Sequence, residues 1–274
     1  MRKASVATAV METDRAGDSR AAQSLAGHRW HWRALLVPVS GLAGLLIWEA
    51  VVRMSGLPAF ILPPPARVWT RGFVALADGT LWRHTRVTLS EILLGLALGL
   101  IVAWAGGYLL AKSPALERLL APYIVASQAV PIVAVAPLLV IWFGAALTSK
   151  VLICALIVFF PVLINTVVGI RSVEPELRDL MRSLRATRWQ TFRLLEVPAA
   201  LPVLLGGLKV GATLSVIGAV VGEFVGADAG LGFLLNAGRG LYDTPLMFVA
   251  IFSLVTIALT LYGLVAALER WLPG

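Results

Sequence analysis

Charged residues and cysteine are scarce in this sequence. Charged side chains make up 14% of the 274 residues, against about 25% in soluble domains, and Cys154 is the one cysteine. A single cysteine excludes an internal disulfide and a cysteine-rich metal site, so Cys154, which lies in an apolar run, is predicted to be a small buried hydrophobe. The 23 lysines and arginines are too few and too dispersed to coat a nucleic-acid-binding surface.

Apolar residues dominate instead. They make up 59% of the chain, and the mean hydropathy is +0.87, whereas soluble domains contain about 45–50% apolar residues. A disordered chain is excluded because disorder requires low hydrophobicity, and a soluble fold could not bury this much apolar surface. The composition therefore predicts an all-α protein that crosses a lipid bilayer several times.

Six stretches are long enough to cross the bilayer, whose core of about 30 Å requires roughly 20 apolar residues per helix. Their bounds are 34–52, 85–111, 119–143, 151–170, 199–225 and 246–268. Residues 1–33 are polar and lack the apolar core of a signal peptide. They are predicted to form a flexible cytoplasmic tail ahead of a transmembrane domain at 34–274.

The positive charges predict the orientation. When the N-terminus is placed inside, 15 of the 23 lysines and arginines fall in the inner segments 1–33, 112–118, 171–198 and 269–274. Cytoplasmic loops of membrane proteins carry such an excess. With six spans, the C-terminus is then also expected in the cytoplasm.

The inner segment 171–198 is long and begins with a pattern typical of a short amphipathic helix. Pro175 suits the first helical position, and Glu176 and Asp179 fall in the first turns, where the helix dipole favours anions. The apolar residues recur at the spacing of one helix face. They are Leu177, Leu180, Met181 and Leu184.

A second short helix is predicted directly after the first. Thr187 and Gln190 have the spacing of a capping box, so this helix should start near Arg188, and Pro198 is expected to break it before the fifth span. The amphipathic, basic pair has two interpretations that the pattern leaves open: helices lying on anionic lipid, or a docking site for a cytoplasmic protein. Nucleic-acid binding is disfavoured because the pair is tied closely to the membrane.

The segment 179–198 resembles the EAA motif of permease subunits of bacterial ABC importers, which reads Glu-Ala-Ala, three residues, Gly, nine residues, Ile, one residue, Leu-Pro. The matched positions are Asp179 for Glu, Leu180 and Met181 for the two Ala, Leu195 for Ile, and Val197-Pro198 for Leu-Pro. Arg185 stands where the family has glycine. Since arginine favours a continued helix and adds bulk and charge, the sequence leaves the geometry of the turn between the two helices open.

Further motifs extend the resemblance to about residues 40–270 and to the nitrate, sulfonate and taurine branch of the family. They are Leu62-Pro63-Pro64-Pro65, the stretch 131–144, Gly222-Glu223-Phe224 and Gly230-Leu231-Gly232. Relatives of this branch also carry thiamine-pyrimidine precursors and riboflavin. The stretch from Gln128 to Pro131 resembles that second group slightly more, but no residue identifies the substrate.

The resemblance implies a type I importer permease in the bacterial inner membrane. Two copies would form the translocation path, a periplasmic or lipid-anchored binding protein would deliver the solute, and a cytoplasmic ATPase would dock on the helix pair. The sequence has no Gly-x-x-x-x-Gly-Lys-Ser/Thr motif, so ATP and Mg²⁺ are expected on the ATPase and no cofactor on this chain. The expected coupling residues are Glu176, Asp179, Leu180, Met181, Leu184, Arg185, Ala186, Thr187, Trp189 and Pro198.

Polar residues within spans are costly in lipid and often functional. The candidates for the translocation path or outer gate are Gln128, Asn165, Thr213, Ser215, Glu223, Gly230 and Gly232. For Glu223, a structural hydrogen bond to the glycine-rich segment 226–245 is an equally good alternative. That segment itself suits either a re-entrant gating element or a plain flexible loop.

Other charged residues near the spans have structural explanations. Glu49 and Arg53 are four residues apart and should pair on one helix face. Glu91 is expected at the outer interface, and Lys209 should reach the inner headgroups. Two other classes of protein stay open: an ion-gradient-driven secondary transporter, and an integral membrane enzyme, which the scattered histidines disfavour.

Overall fold

The computed structural model describes residues 38–271. The chain divides into two compact units, one up to Pro65 and one from Ala66 onward. The predicted tail 1–33, its boundary with the transmembrane domain and the start of the first predicted span all lie outside the described residues.

In the first unit, a helix α1 occupies 38–55 and includes most of the first predicted span. The predicted pair forms on its surface, where Arg53 Nε lies 2.7 Å from Glu49 Oε1. Because both side chains are partly exposed, this pair adds at most about 1 kcal/mol to stability.

The second unit is helical throughout its described length. Its helices are α2 (Pro65–Ala77), α3 (Thr80–Lys112), α4 (Pro114–Gln128), α5 (Ile132–Phe143), α6 (Leu147–Arg171), α7 (Pro175–Ser183), α8 (Arg188–Thr191), α9 (Val197–Gly226), α10 (Leu231–Gly240) and α11 (Thr244–Trp271). A π-helical turn, Phe192–Glu196, joins α8 to α9.

Four helical stretches within 38–271 are long and apolar enough to cross a membrane: α3, α6, α11 and the continuous run Arg188–Gly226. The third predicted span is not one straight helix, because α4 and α5 meet at a bend of 94°. Pro131 explains the bend. It lacks an amide hydrogen and disfavours the helical conformation in the residue before it, and it stands as the extended N-cap of α5.

The predicted break at Pro198 is wrong, because the helix continues for 39 residues from Arg188 to Gly226. In an α-helix the ring of Pro198 would clash with the carbonyl of Leu194 and remove one hydrogen bond. The π turn widens the helix just before this point, and Val197 N donates to Phe192 O, five residues back. The proline is therefore absorbed without a break.

Helices α3, α6 and α9 pack against one another and form the core. Glycines let the backbones approach: a Cβ on Gly218 would lie 2.7 Å from Cys154 Cα, and one on Gly107 would lie 2.6 Å from Thr166 Cβ. Small residues at such crossings are how helices associate where lipid removes the hydrophobic driving force. Cys154 is fully buried, as predicted.

Candidate functional site

The first helix of the 171–198 segment forms as predicted and leaves its apolar face open. Pro175 and Glu176 occupy the first turn of α7. Leu180 and Leu184 are exposed, the latter by 67%, and Met181 on the same face is half-buried. Arg178 anchors the helix by donating from Nη2 to Ile170 O at 2.6 Å. An exposed apolar face of this kind marks a surface for lipid or a protein partner.

The turn after α7 has the geometry that glycine usually gives at this position, although the residue is arginine. Arg185 adopts the left-handed conformation, with φ of 52°. Its amide donates to Arg182 O and the amide of Ala186 donates to Met181 O, both at 2.9 Å. This pair of bonds is the Schellman motif, whose left-handed position glycine usually fills. Helix α7 therefore ends before Arg185, although arginine favours a continued helix.

The second helix starts with the predicted capping box. Gln190 N donates to Thr187 Oγ1 at 3.2 Å, and Thr187 N donates to Gln190 Oε1 at 2.7 Å. Trp189 is exposed and stacks on Phe192, with ring centroids 5.4 Å apart. On α7, Asp179 pairs with Arg182 at 2.9 Å while both side chains stay solvent-accessible.

A buried carboxylate lies where this segment enters α9. Glu196, in the π turn, is 1% exposed. Its Oε2 accepts from the hydroxyl of Tyr108 at 3.2 Å, and its Oε1 pairs with Lys112. Phe192 packs edge-on against Tyr108, with centroids 5.1 Å apart. Sequence reasoning missed this cluster because Glu196 fills the unspecified position of the motif. The one available signal was a carboxylate in an apolar run, which requires a partner.

The opposite end of α3 carries a second cluster, which we call the α10 clamp: His84, Thr88 and Glu223. These side chains bind three successive amides at the start of α10. Gly230 N donates to His84 Nδ1 at 2.9 Å, Leu231 N donates to Thr88 Oγ1 at 2.7 Å, and Gly232 N donates to Glu223 Oε2. The first amides of a helix have no partner within the helix, so this buried end depends on the clamp.

The clamp leaves no room for side chains on the two glycines it holds. A Cβ on Gly232 would lie 2.7 Å from Glu223 Oε2, and one on Gly230 would overlap the same carboxylate. Gly230 also has a φ of 124°, which other residues rarely adopt. Glu223 is 2% exposed and accepts from Thr88 Oγ1 at 2.6 Å. Of the two roles considered for Glu223, the structure shows the hydrogen bond to the glycine-rich segment 226–245. That segment contains the helix α10 and is not a plain loop.

Two lysines inside the spans are paired with carboxylates. Lys150 Nζ lies 3.3 Å from Glu91 Oε1, with both side chains buried, and Lys209 pairs with Glu269. Glu91 is buried within the bundle, and Lys209 reaches a carboxylate near the end of α11. Each pairing lowers the cost of placing charge in the membrane interior.

The remaining path candidates do not join the clamp. Each hydrogen-bonds to the backbone of its own helix: Gln128 to Ile124 O, Asn165 to Pro161 O, Thr213 to Val210 O and Ser215 to Ala212 O. Gln128 is exposed, Asn165 and Thr213 are half-buried, and Ser215 is buried. Of the seven candidates, only Glu223, Gly230 and Gly232 are in mutual contact.

The sequence that forms these helices matches a known family. Residues 95–273 match the family described as "binding-protein-dependent transport system inner membrane component". The chain belongs to this family. The permease is therefore a multi-pass inner-membrane protein and the transmembrane subunit of an ABC importer.

Individual proteins similar to this chain are also transport permeases. The riboflavin transport system permease protein of Chloroflexus aurantiacus is 55% identical over 89% of this permease and 91% of that protein. The formylaminopyrimidine transport permease protein of Halalkalibacterium halodurans is 36% identical over 82% and 90%. The taurine transport system permease protein of Escherichia coli is 32% identical over 88% and 91%. They confirm the resemblance to the nitrate, sulfonate and taurine branch.

A solved structure confirms the fold. An inward-facing structure of the MetNI methionine ABC transporter superposes on the permease with a TM-score of 0.63, covering 72% of this chain and 99% of that one at 18% identity. The helix pair of α7 and α8 thus belongs to an importer fold. Neither a secondary transporter nor a membrane enzyme is supported.

Proposed function

We propose that the permease imports riboflavin or a closely related flavin. The observation that carries this proposal is the 55% identity, over 89% of the chain, to a protein named as a riboflavin transport permease. The alternative is a small anion, which the 32% identity to a taurine transport permease favours. A pyrimidine precursor lies between the two in similarity.

The charges within the spans favour an uncharged solute over an anion. Nitrate, taurine or a sulfonate would need a cation along its route, since an anion in lipid surroundings is costly without one. The lysines inside the described spans are Lys112, Lys150 and Lys209, and they are already paired with Glu196, Glu91 and Glu269. The uncharged candidates Gln128, Asn165 and Thr213 remain to contact a neutral, hydrogen-bonding ring system. In this proposal Glu223, Gly230 and Gly232 act as the outer gate, and Ser215 supports the path from within the core.

The ATPase is proposed to dock on α7 and α8. The support is the open apolar face at Leu180 and Leu184, together with the exposed side chains of Asp179 and Trp189. The other proposed coupling residues are Glu176, Met181, Arg185, Ala186, Thr187 and Pro198. ATP and Mg²⁺ would bind the ATPase, and this chain would bind neither nucleotide nor nucleic acid.

The docking helices would then face the cytoplasm. Their excess of arginine agrees with an inner location, and the termini would lie on the same side. A periplasmic or lipid-anchored binding protein would deliver the flavin to the opposite face, where α10 lies. Two copies of the permease, surrounded by lipid, would enclose the path between them.

Co-purification and transport test these proposals in turn. Tagged permease extracted in mild detergent from its native membranes should carry an ATPase with a phosphate-binding loop, at one copy per permease. Proteoliposomes holding the whole complex should take up labelled riboflavin only with ATP, and excess unlabelled taurine should not compete. Uptake of taurine in preference to riboflavin would contradict the substrate. Uptake driven by an ion gradient without ATP would contradict the ATPase.

A further inference from the structure

The docking helices α7 and α8 are joined to α9 by a continuous stretch of chain, whereas α3 is not joined to them in this way. The helix is continuous from Arg188 to Gly226, so a displacement of α8 passes directly along it. Helix α3 ends at Lys112, far from this segment in sequence. For α3 to follow the same displacement, it needs non-covalent contacts. Arg171, at the end of α6, donates to Leu110 O of α3 at 3.3 Å, and a contact with the base of α9 would join α3 to the displaced helix itself.

Glu196 supplies such a contact. Tyr108 and Lys112 are four residues apart and so lie on one face of the last turn of α3. They bind the two oxygens of the carboxylate separately, Tyr108 at Oε2 and Lys112 at Oε1. Glu196 is almost fully buried, so water does not solvate its charge. Separating the helices here would leave a buried carboxylate without its cation.

Helices α3 and α9 are joined again at their other ends. Thr88, at the start of α3, donates to Glu223, near the end of α9, at 2.6 Å. The intervening 20 residues of α3 span about 30 Å at 1.5 Å per residue. Polar contacts at both ends, with glycine-mediated packing on α6 between them, make α3 and α9 one rigid pair.

We propose that Glu196 is a positioning residue that ties α3 to α9 at the base of the docking helices, so that both spans follow the movement of the ATPase. The inference rests on the proposed docking of an ATPase at α7 and α8. Glu196 touches neither nucleotide nor solute. It acts through Tyr108 and Lys112, and its loss uncouples hydrolysis from transport.

The ratio of solute taken up to ATP hydrolysed distinguishes this role from simple packing. Glu196→Gln keeps the shape of the side chain and an acceptor for Tyr108, while it removes the charge that holds Lys112. In proteoliposomes with the ATPase and binding protein, this variant should retain hydrolysis within about twofold and lose about tenfold in uptake per ATP, as expected for the loss of coupling between distant sites. Tyr108→Phe, which keeps the ring against Phe192, should show a smaller loss of the same kind.

The Lys209–Glu269 pair provides a matched control. It joins α9 to α11 and does not involve α3. Glu269→Gln should therefore leave hydrolysis and uptake per ATP within about twofold of wild type. The exchange Lys112→Glu with Glu196→Lys restores an ion pair of reversed sign, and it should recover uptake per ATP that Glu196→Lys alone abolishes.

Three results would overturn the inference. The first is unchanged uptake per ATP in Glu196→Gln, measured where the wild-type complex binds the ATPase and transports. This result would contradict the role of Glu196 and leave the proposed docking intact. An equal loss in Glu269→Gln would show a general effect of span charges. Failure of the wild-type permease to retain any ATPase would overturn the proposed docking together with this inference.

Discussion

The two ends of α3 are built differently. At the end near Lys112, the helices α7 and α8 are short, exposed and held largely by bonds within the segment itself. Arg178, Phe192 and Glu196 connect this segment to the bundle. At the other end, the α10 clamp is buried and joins three helices through side chains that bind consecutive amides. The end near Lys112 therefore exposes surface on which a partner can bind, whereas the side chains of the α10 clamp are buried and bind one another.

This difference predicts two classes of variant. Changes in the clamp should lower the stability of the protein, because each buried polar group there depends on another. Changes on α7 should leave stability nearly intact and alter binding of the ATPase, because exposed ion pairs contribute little to folding. A clamp variant that altered only ATPase binding, or an α7 variant that unfolded the protein, would break the distinction.

The largest loss of stability is expected from Gly230→Ala. The new Cβ would overlap the carboxylate of Glu223 at a backbone φ of 124°, so strain and overpacking together should cost about 2–4 kcal/mol. The thermal unfolding midpoint in detergent should fall sharply. Gly240→Ala, in the same helix but with nothing within 4 Å of the added carbon, should leave the midpoint unchanged or raise it. Equal effects at the two glycines would contradict the crowding at Gly230.

A smaller loss is expected from Thr88→Val, which preserves shape and removes one hydroxyl. The amide of Leu231 and one oxygen of Glu223 would then lie buried without a partner, at a cost of about 1–3 kcal/mol. The same thermal measurement applies. Thr256→Val provides the control, because that exposed hydroxyl only bonds the carbonyl of Phe252 in its own helix. A neutral Thr88→Val would mean that the clamp contributes little to folding.

Asp179→Lys should change binding and not stability. Its partner Arg182 is exposed, so the lost pair should cost less than about 1 kcal/mol. Reversing the charge on the docking surface should instead weaken retention of the ATPase about tenfold. Affinity purification from membranes, with the thermal midpoint measured in parallel, separates the two effects. Asp228→Lys, an exposed reversal beside α10, should leave retention unchanged, and equal losses would contradict a local docking surface.

The same two ends show what the sequence could predict. The capping box at Thr187, the helix start at Pro175 and the spans of α3 and α6 were predicted correctly, because each depends on residues a few positions apart. The clamp was not predicted as a cluster, because Thr88 and Leu231 are 143 residues apart and their meeting depends on how α3 and α9 pack. Local propensity gave a wrong break at Pro198 and left the turn at Arg185 open. A π turn and a Schellman cap accommodate these two residues, which propensity alone disfavours there.

The smallest expected effect is a gain from Arg185→Gly. The left-handed conformation of Arg185 is strained for a residue with a Cβ and relaxed for glycine. Because glycine also loses more entropy on folding, the net stabilisation should be about 1 kcal/mol or less. Tyr242→Gly is the matched control at the α10 end, since Tyr242 has φ of 56° and its neighbour Asp243 donates to Gly238 O in the same Schellman pattern. If both variants raise the thermal midpoint alike and transport continues, Arg185 only shapes the turn. If Arg185→Gly alone stops transport while the midpoint holds, the guanidinium contacts the ATPase, and the turn position itself belongs to the docking surface.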